Sequence, residues 1–212
     1  MPYPTQITKD QIIQKAHALI EQEGRDALSL GKLATALGVK APSLYRHVGS
    51  KAELVEEVNL YTLQRIFSTL EDRLAVDDNT STDSVPTDSA STDSASTDSA
   101  STDSTAQILV VLQTLRQFAH AQPQTYLLMM TTLPGKGRPN EALLTEMILP
   151  YQALMARIVG EEQSLTALRG ALALAHGFIL LELNQQLQRG GDLAADFNSA
   201  VHAYLAGWSL TK

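Results

Sequence analysis

Residues 29–51 read SLGKLATALGVKAPSLYRHVGSK and hold two short helical patterns on either side of a turn. The first pattern begins after Ser29, a residue type that caps helix N-termini. Its apolar residues recur at the spacing of one buried helical face: Leu30, Leu33, Ala34 and Leu37. Gly38 then tolerates the positive φ of a tight turn, and Pro42 suits the first turn of the next helix. This order predicts a helix-turn-helix.

The second helix, predicted over 42–47, is short and mostly polar. Leu44 and Val48 lie four residues apart and face the core. The other sides carry donors that suit base edges and phosphates: Ser43, Tyr45, Arg46 and His47. Residues 50–53 have the Ser-x-x-Glu form of a capping box and open a long helix, whose first amides and Lys51 suit a phosphate. The pattern favours a DNA-reading motif over a helical hairpin without that role.

Charge is distributed unevenly along the chain. The formal net charge is -7, and residues 77–103 account for all of it with seven aspartates. Between Arg25 and Lys51, by contrast, five basic residues stand against one acidic residue. Only charge within roughly one Debye length of the reading surface, about 8 Å, acts strongly on DNA. The acidic overall balance therefore does not exclude a nucleic-acid partner.

One more helix precedes this motif. Thr8 and Gln11 have the spacing of a capping box, and Gly24 supplies a C-terminal stop. The predicted buried stripe is Ile12, Ala16, Leu19 and Ile20. His17 lies beside the stripe without a second ligand at helical spacing, so we interpret it as a partly exposed helix residue rather than a metal ligand.

Three segments carry a resemblance to a known family: TKDQIIQKAHALIEQEG at 8–24, LSLGKLATALGV at 28–39 and KAPSLYRHVGSKAELVEEV at 40–58. In order and spacing they resemble the DNA-binding domain of the TetR family of one-component bacterial regulators. The resemblance implies base contacts by Lys40, Ala41 and Ser43, and phosphate contacts by Tyr45, His47 and Lys51. Arg46 completes the predicted DNA-binding residues. The implied protein is an all-α regulator with an N-terminal three-helix reading domain and a C-terminal helical domain for ligand binding and dimerisation.

Composition restricts the alternatives. The 212 residues are 44% hydrophobic and 5% aromatic, which with the helical patterns indicates an all-α protein of one or two domains. The absence of cysteine fits a reducing cytoplasm. Neither a signal segment nor an uninterrupted apolar run of about 18 residues is present, so we expect a cytoplasmic protein without membrane attachment. The five histidines lack metal-motif spacing and no nucleophile elbow occurs, so we expect neither enzyme activity, a catalytic residue, a metal nor a cofactor.

A repeat of period five occupies 81–105: STDSV, PTDSA, STDSA, STDSA and STDST. It offers almost no apolar surface to bury, so we expect residues 77–105 to be disordered. A phosphorylatable tail and a passively expanded repeat are both compatible with this composition.

After Ala106 the apolar spacing is helical again. The predicted helices are one around 108–118, a short one around 126–133, and longer ones over 140–159, 161–189 and 193–210. Pro150 predicts a kink or break. The last two are apolar on more than one side, as expected for burial in the core or against a second subunit. They resemble the helices that form a four-helix bundle between family subunits, and His176-Gly177 with AVHAYLAGW at 200–208 resembles the Trp/His-Gly variant of the ligand domain.

Aromatic and thioether side chains suit an adaptable apolar ligand site. The resemblance places several of them on helices around an inducer cavity: Phe118, Tyr126, Met130, Met147, Tyr151 and Phe178. The alternative is that each belongs to the helical core.

These observations predict a homodimeric repressor that a small molecule releases from a palindromic DNA operator. The predicted organisation is a reading domain over 1–52, a connecting helix over 53–76, the repeat over 77–105, and the ligand-binding and dimerisation domain over 106–212. The alternatives are a transcriptional activator or a protein-interaction module on the same fold.

Overall fold

The computed structural model describes residues 7–81, 95–131 and 141–209, and these residues form helices joined by turns. The all-α prediction is confirmed. The helices are α1 Lys9–Glu23, α2 Leu30–Ala36, α3 Ala41–Leu44, α4 Lys51–Ser81, α5 Ala95–Ala121, α6 Pro123–Thr131, α7 Glu141–Val159, α8 Glu161–Leu183 and α9 Leu193–Ser209. Contacts divide the chain into two units: Met1–Phe67 with Ala121–Glu141, and Ser68–His120 with Ala142–Lys212.

The first unit closes around one apolar cluster. Each α-helix of the unit contributes to this cluster: Ile12 and Ile20 from α1, Leu33 from α2, Leu44 from α3, Leu54 and Val58 from α4, and Leu128 from α6. The participation of α6 is unexpected, because about 70 residues separate it from the end of the helix-turn-helix. Its partner is mainly α1.

The predicted caps are present. The Thr8 hydroxyl accepts a hydrogen bond from the Gln11 amide at 3.2 Å, and the Gln11 side chain accepts one from the Thr8 amide at 3.0 Å. The Ser29 hydroxyl accepts from the Lys32 amide at 3.1 Å. Gly38, with φ 68°, has the left-handed conformation that the turn requires. The predicted ends of the first two helices are therefore confirmed.

His17 corrects a prediction. Its side chain is 5% exposed, so the interpretation as a partly exposed residue is wrong. The ring packs edge-on against Tyr61, with 5.2 Å between centroids, and its Nε2 has no hydrogen-bond partner among the described residues. Burial, assisted by the nearby positive charge of Arg65, holds the pKa of His17 below its usual value.

The second unit contains a buried ion pair. Glu182 on α8 accepts two hydrogen bonds from the Arg116 guanidinium on α5, at 2.7 and 2.5 Å, and lies 3.1 Å from His120 Nε2. The Glu182 side chain is 2% exposed, and Arg116 also lies over the Phe197 ring of α9. Packing of α8 on α9 further uses Gly170, where a Cβ would collide with Tyr204.

The end of α8 differs from the prediction. Helix α8 ends at Leu183 rather than near Arg189, because the Asn184 side chain donates to the Leu180 carbonyl at 2.7 Å and Gln185 has a positive φ of 54°. Helix α7 continues through Pro150, so the chain is not broken there, and a kink at this position stays a prediction.

The repeat enters two helices. Helix α4 extends to Ser81 and α5 begins at Ala95, so the structure differs from the expected disorder at both ends of 77–105. The Ser104 side chain is fully buried, which shows that packing of the adjoining apolar helix overrides local composition. The central residues 82–94 lie outside the described part of the chain, and so does the predicted loop at 134–139.

Helices α7 and α8 are long and apolar enough to cross a membrane by length and composition alone. Counting only uninterrupted apolar residues missed this. Helix α8 carries Arg169 and the buried, ion-paired Glu182, and it packs on α9. We therefore interpret α8 as a core helix, a kind of helix that passes the same test of length and composition.

Candidate nucleic-acid interface

One face of helix α3 packs on the core of the first unit, and the residues that follow the helix are mostly polar. Leu44 and Val48 are 0% and 1% exposed and fix the short helix onto the core of the first unit. The helix is shorter than predicted, because residues 45–47 form a turn in which the His47 amide donates to the Leu44 carbonyl at 2.9 Å. Only one side of this segment is therefore available to a partner.

The seven predicted DNA-binding residues lie along this segment and the first residue of α4. Four of them are exposed: Lys40, Tyr45, Arg46 and Lys51. The other three are half-buried: Ala41, Ser43 and His47. Tyr45 is the most exposed large apolar side chain identified in the described residues, at 57%. An exposed aromatic side chain that also carries a hydroxyl is typical of residues that a binding partner covers.

The basic residues near this surface are not equivalent. Lys32 forms an ion pair with Glu23, so its charge is already compensated. In the described ranges, no carboxylate lies within ion-pair distance of Lys40, Arg46 or Lys51. These three cations are free to bind phosphate.

The start of α4 is arranged differently from the predicted capping box. The Ser50 hydroxyl accepts from the Glu53 amide at 3.1 Å, as predicted. The Glu53 carboxylate, however, accepts from the Gly49 amide at 2.7 Å rather than from Ser50. The cap thus includes Gly49 as well as Ser50 and Glu53, and it fixes the turn that leads from α3 to Lys51.

The six predicted ligand-binding residues are divided between the two units. Phe118 and Tyr151 are buried in the second unit, where Met147 and Phe178 are half-buried. Burial raises the pKa of Tyr151 to about 12, so its hydroxyl stays neutral. The other two predicted residues, fully buried Tyr126 and exposed Met130, lie on α6 in the first unit. Their common ligand site stays a prediction.

Two contacting residues escaped sequence reasoning. Glu21 on α1 binds the start of α6, and Arg116 binds Glu182. Arg116 lies near His120 on the same helix, but nothing in the sequence pairs it with a residue 66 positions away. Glu21 is separated from its partners by 103 and 104 positions. Neither pairing leaves a local sequence signal.

A short helix that packs on a buried core, and that exposes Lys40, Arg46 and Lys51 at its two ends and at the start of the next helix, is the arrangement of a helix-turn-helix DNA-binding protein. Two family models match the same chain: "Bacterial regulatory proteins, tetR family" over residues 12–58, and "Tetracyclin repressor-like, C-terminal domain" over 108–204. The chain belongs to the TetR family of bacterial transcriptional regulators.

The similarity to individual proteins extends over most of the chain. An uncharacterized HTH-type transcriptional regulator of Mycobacterium tuberculosis, Rv0681, is 28% identical over 183 residues, which cover 85% of this chain and 72% of the relative. The crystal structure of a TetR variant from Acinetobacter baumannii in complex with minocycline has a TM-score of 0.63 at 18% identity, covering 97% and 98% of the two chains. BioQ with its natural double-stranded DNA operator has a TM-score of 0.60 at 18% identity, covering 96% and 99%. The two structures share the fold of this chain.

Proposed function

We propose that the protein is a homodimeric repressor that binds a palindromic DNA operator and is released from it by a small molecule. The observation that carries the proposal is the surface of α3, where Lys40, Arg46 and Lys51 are exposed without a carboxylate partner in the described residues. Family membership and the operator-bound neighbour BioQ support the same role. A regulator of this kind would act in the bacterial cytoplasm.

Each side chain has a proposed part in binding. Lys40, Ala41 and Ser43 would lie against base edges, while Tyr45, Arg46, His47 and Lys51 would contact phosphates. The hydroxyl of Ser43 both donates and accepts, so it can discriminate between bases, whereas lysine and arginine bind the uniform backbone charge. Sequence preference should therefore depend on the first group and overall affinity on the second.

The proposed dimer interface uses α8 and α9. Exposed residues recur every four positions along α8 and are mostly small or apolar: Leu165, Arg169, Ala173, Gly177 and Leu181. On α9 the exposed residues include Ala203, Ala206 and Gly207. Small side chains allow close approach of helices, and a stripe at this spacing lies along one helical face. Two copies of the pair would form a four-helix bundle and place two reading helices about one two-fold axis.

The proposed ligand domain covers 106–212, after a reading domain over 1–52 and a connecting helix over 53–76. Four of the predicted ligand residues support an apolar site in the second unit: Phe118, Met147, Tyr151 and Phe178. The minocycline-bound TetR neighbour supports a small-molecule ligand in general. A ligand that prefers one conformation shifts the population toward it, and a changed spacing of the two reading helices would weaken operator binding.

Selection of binding sequences from a random DNA pool tests this function. We expect an approximately palindromic site with half-sites about 34 Å apart or a multiple of that distance. Recovery of unrelated sequences, or of single half-sites, would contradict the dimeric operator. Placing the selected site over a promoter then separates repression from activation, and a protein that selects no DNA would instead be an interaction module.

A further inference from the structure

A groove lies on the first unit, between α1 and the turn that joins α2 to α3. Its volume is about 450 Å³, which is within the range of sites for small molecules. The residues that line it come from the segment 7–18 and from the turn at 37–39. None of the six predicted ligand-binding residues is among them. The groove is therefore a separate cavity from the proposed ligand site.

Four of the lining residues are apolar: Ile7, Ala18, Leu37 and Val39. All four are half-buried. Ile7, Leu37 and Val39 pack against the core cluster of the first unit, so their positions are fixed from the side of the core. An aliphatic chain laid along them would remove apolar surface of both partners from water, which favours binding.

The polar part of the lining contains one cation and no anion among the described residues. Lys15 is half-buried, and no carboxylate of the described ranges lies within ion-pair distance of its ammonium group. Lys9 and Lys32 of the same unit each pair with a glutamate. A half-buried ammonium without a counter-ion favours a single anionic group in the groove, and the side-chain amide of Gln14 can donate to the same anion.

We propose that this groove binds an aliphatic monocarboxylate, with the carboxylate on Lys15 and the hydrocarbon chain against Leu37 and Val39. A neutral hydrocarbon would leave the ammonium group without a counter-ion, and an anion with several charges would place charge against apolar side chains. Val39 directly precedes Lys40, a predicted base contact, so the bound molecule would lie beside the reading helix. The site is additional to the proposed function, and its existence does not depend on an operator.

Amide chemical shifts of the full-length protein test the site, with sodium octanoate as the probe. We expect saturable shifts at Ala18 and Val39. The probes 1-octanol and octylamine have the same chain length but carry no charge and a positive charge, respectively. A partly exposed ion pair changes affinity by roughly two- to fivefold, so octanoate should bind more tightly than 1-octanol by about that factor, and octylamine should bind most weakly.

Lys15→Gln removes the cation and should abolish the preference for octanoate over 1-octanol. Lys9→Gln is the matched control, because Lys9 is a lysine of the same helix that pairs with Glu57 and does not line the groove. This variant should keep the preference. Ala18→Leu fills the groove with a larger apolar side chain and should weaken the binding of octanoate and 1-octanol alike.

Several results would overturn the proposal: no saturable shift at Ala18 and Val39, equal affinity for octanoate and octylamine, or a preference for octanoate that persists in Lys15→Gln. Octanoate shifts confined to α7 and α8 would overturn it as well, because the carboxylate would then bind in the second unit. The same spectra report folding, and if Ala18→Leu does not fold, the comparison of Lys15→Gln with Lys9→Gln decides alone.

Discussion

Replacing Glu182 by glutamine should destabilise the second unit strongly at neutral pH. The carboxylate is 2% exposed and receives two hydrogen bonds from Arg116 and one contact from His120. Breaking a buried ion pair leaves an uncompensated charge and costs about 3–5 kcal/mol. Arg116 is 19% exposed and water can reach part of it, so we expect a loss near the lower limit, about 3 kcal/mol.

The loss should depend on pH. Burial opposes ionisation of Glu182, but the hydrogen bonds from Arg116 and His120 outweigh it and hold the pKa of the carboxyl below its usual value. A lowered folded-state pKa gives stability that is complete above the unfolded pKa and disappears as pH falls through the folded one. The difference in stability between the parent and Glu182→Gln should therefore begin to shrink as the pH falls to about 4.5, the ordinary value for this group, and should vanish only below the lower pKa of the folded state.

Urea denaturation at pH 7 and in acid, at equal protein concentration, measures both effects. Glu162→Gln serves as the control, because Glu162 is an exposed glutamate on the same helix and its loss should change stability by less than about 1 kcal/mol. Arg116→Met combined with Glu182→Gln should recover part of the loss, since no charge is then left unpaired. Equal stability of the two glutamine variants at pH 7, or a difference that does not shrink in acid, would refute the reasoning.

Variants in three regions of the chain have expected outcomes. Lys51→Ala should weaken binding to all DNA sequences alike, and it should reduce the slope of the logarithm of the binding constant against the logarithm of salt concentration by about 1. Ser43→Ala should instead change the preferred sequence. Quantitative gel shifts over several operators and salt concentrations check both. Gly177→Arg should yield monomers by light scattering while circular dichroism stays helical, because a Cβ at this position meets nothing within 4 Å in the protomer. Replacing 82–94 by a short Gly/Ser loop should leave thermal unfolding and operator affinity nearly unchanged, whereas extending the replacement through 95–105 should lower the melting temperature, since it removes buried Ser104.

Local chemistry explains which parts of the fold could be predicted. The caps at Thr8 and Ser29 involve residues only three positions apart, so the sequence displays them directly. The placement of α6 on α1 depends on contacts across about 100 residues, and no periodicity reports such a distance. The prediction for His17 is wrong for a related reason: its ring packs against Tyr61 of α4, and helical spacing within α1 does not report that contact.

The predicted site divides in the same way. Anchoring by Leu44 and exposure of Tyr45 follow from helical spacing, so the DNA-facing residues were accessible to sequence reasoning. Ion pairing could not be predicted in this way. Lys32 looks equivalent to Lys40 in the sequence, and only the structure shows that the charge of Lys32 is compensated by Glu23. The ligand residues depend entirely on tertiary packing, which separates Tyr126 from Phe118 by unit although they are eight residues apart.

Helix α5 begins within the repeat, at Ala95. Units of the repeat can therefore be gained or lost without a change in the helical register of the buried residues of α5. Five residues advance an α-helix by about 500°, so five unrelated residues inserted into a helix would turn one end by about 140° against the other. The units at 91–95 and 96–100 are identical, however, and gaining or losing one leaves the residues that precede Ile108 unchanged. Ser104 and Ile108 would keep their buried positions whatever the copy number. A change in the number of these units would thus alter the distance along the chain between α4 and α5 and leave the sequence of the buried part of α5 unaltered.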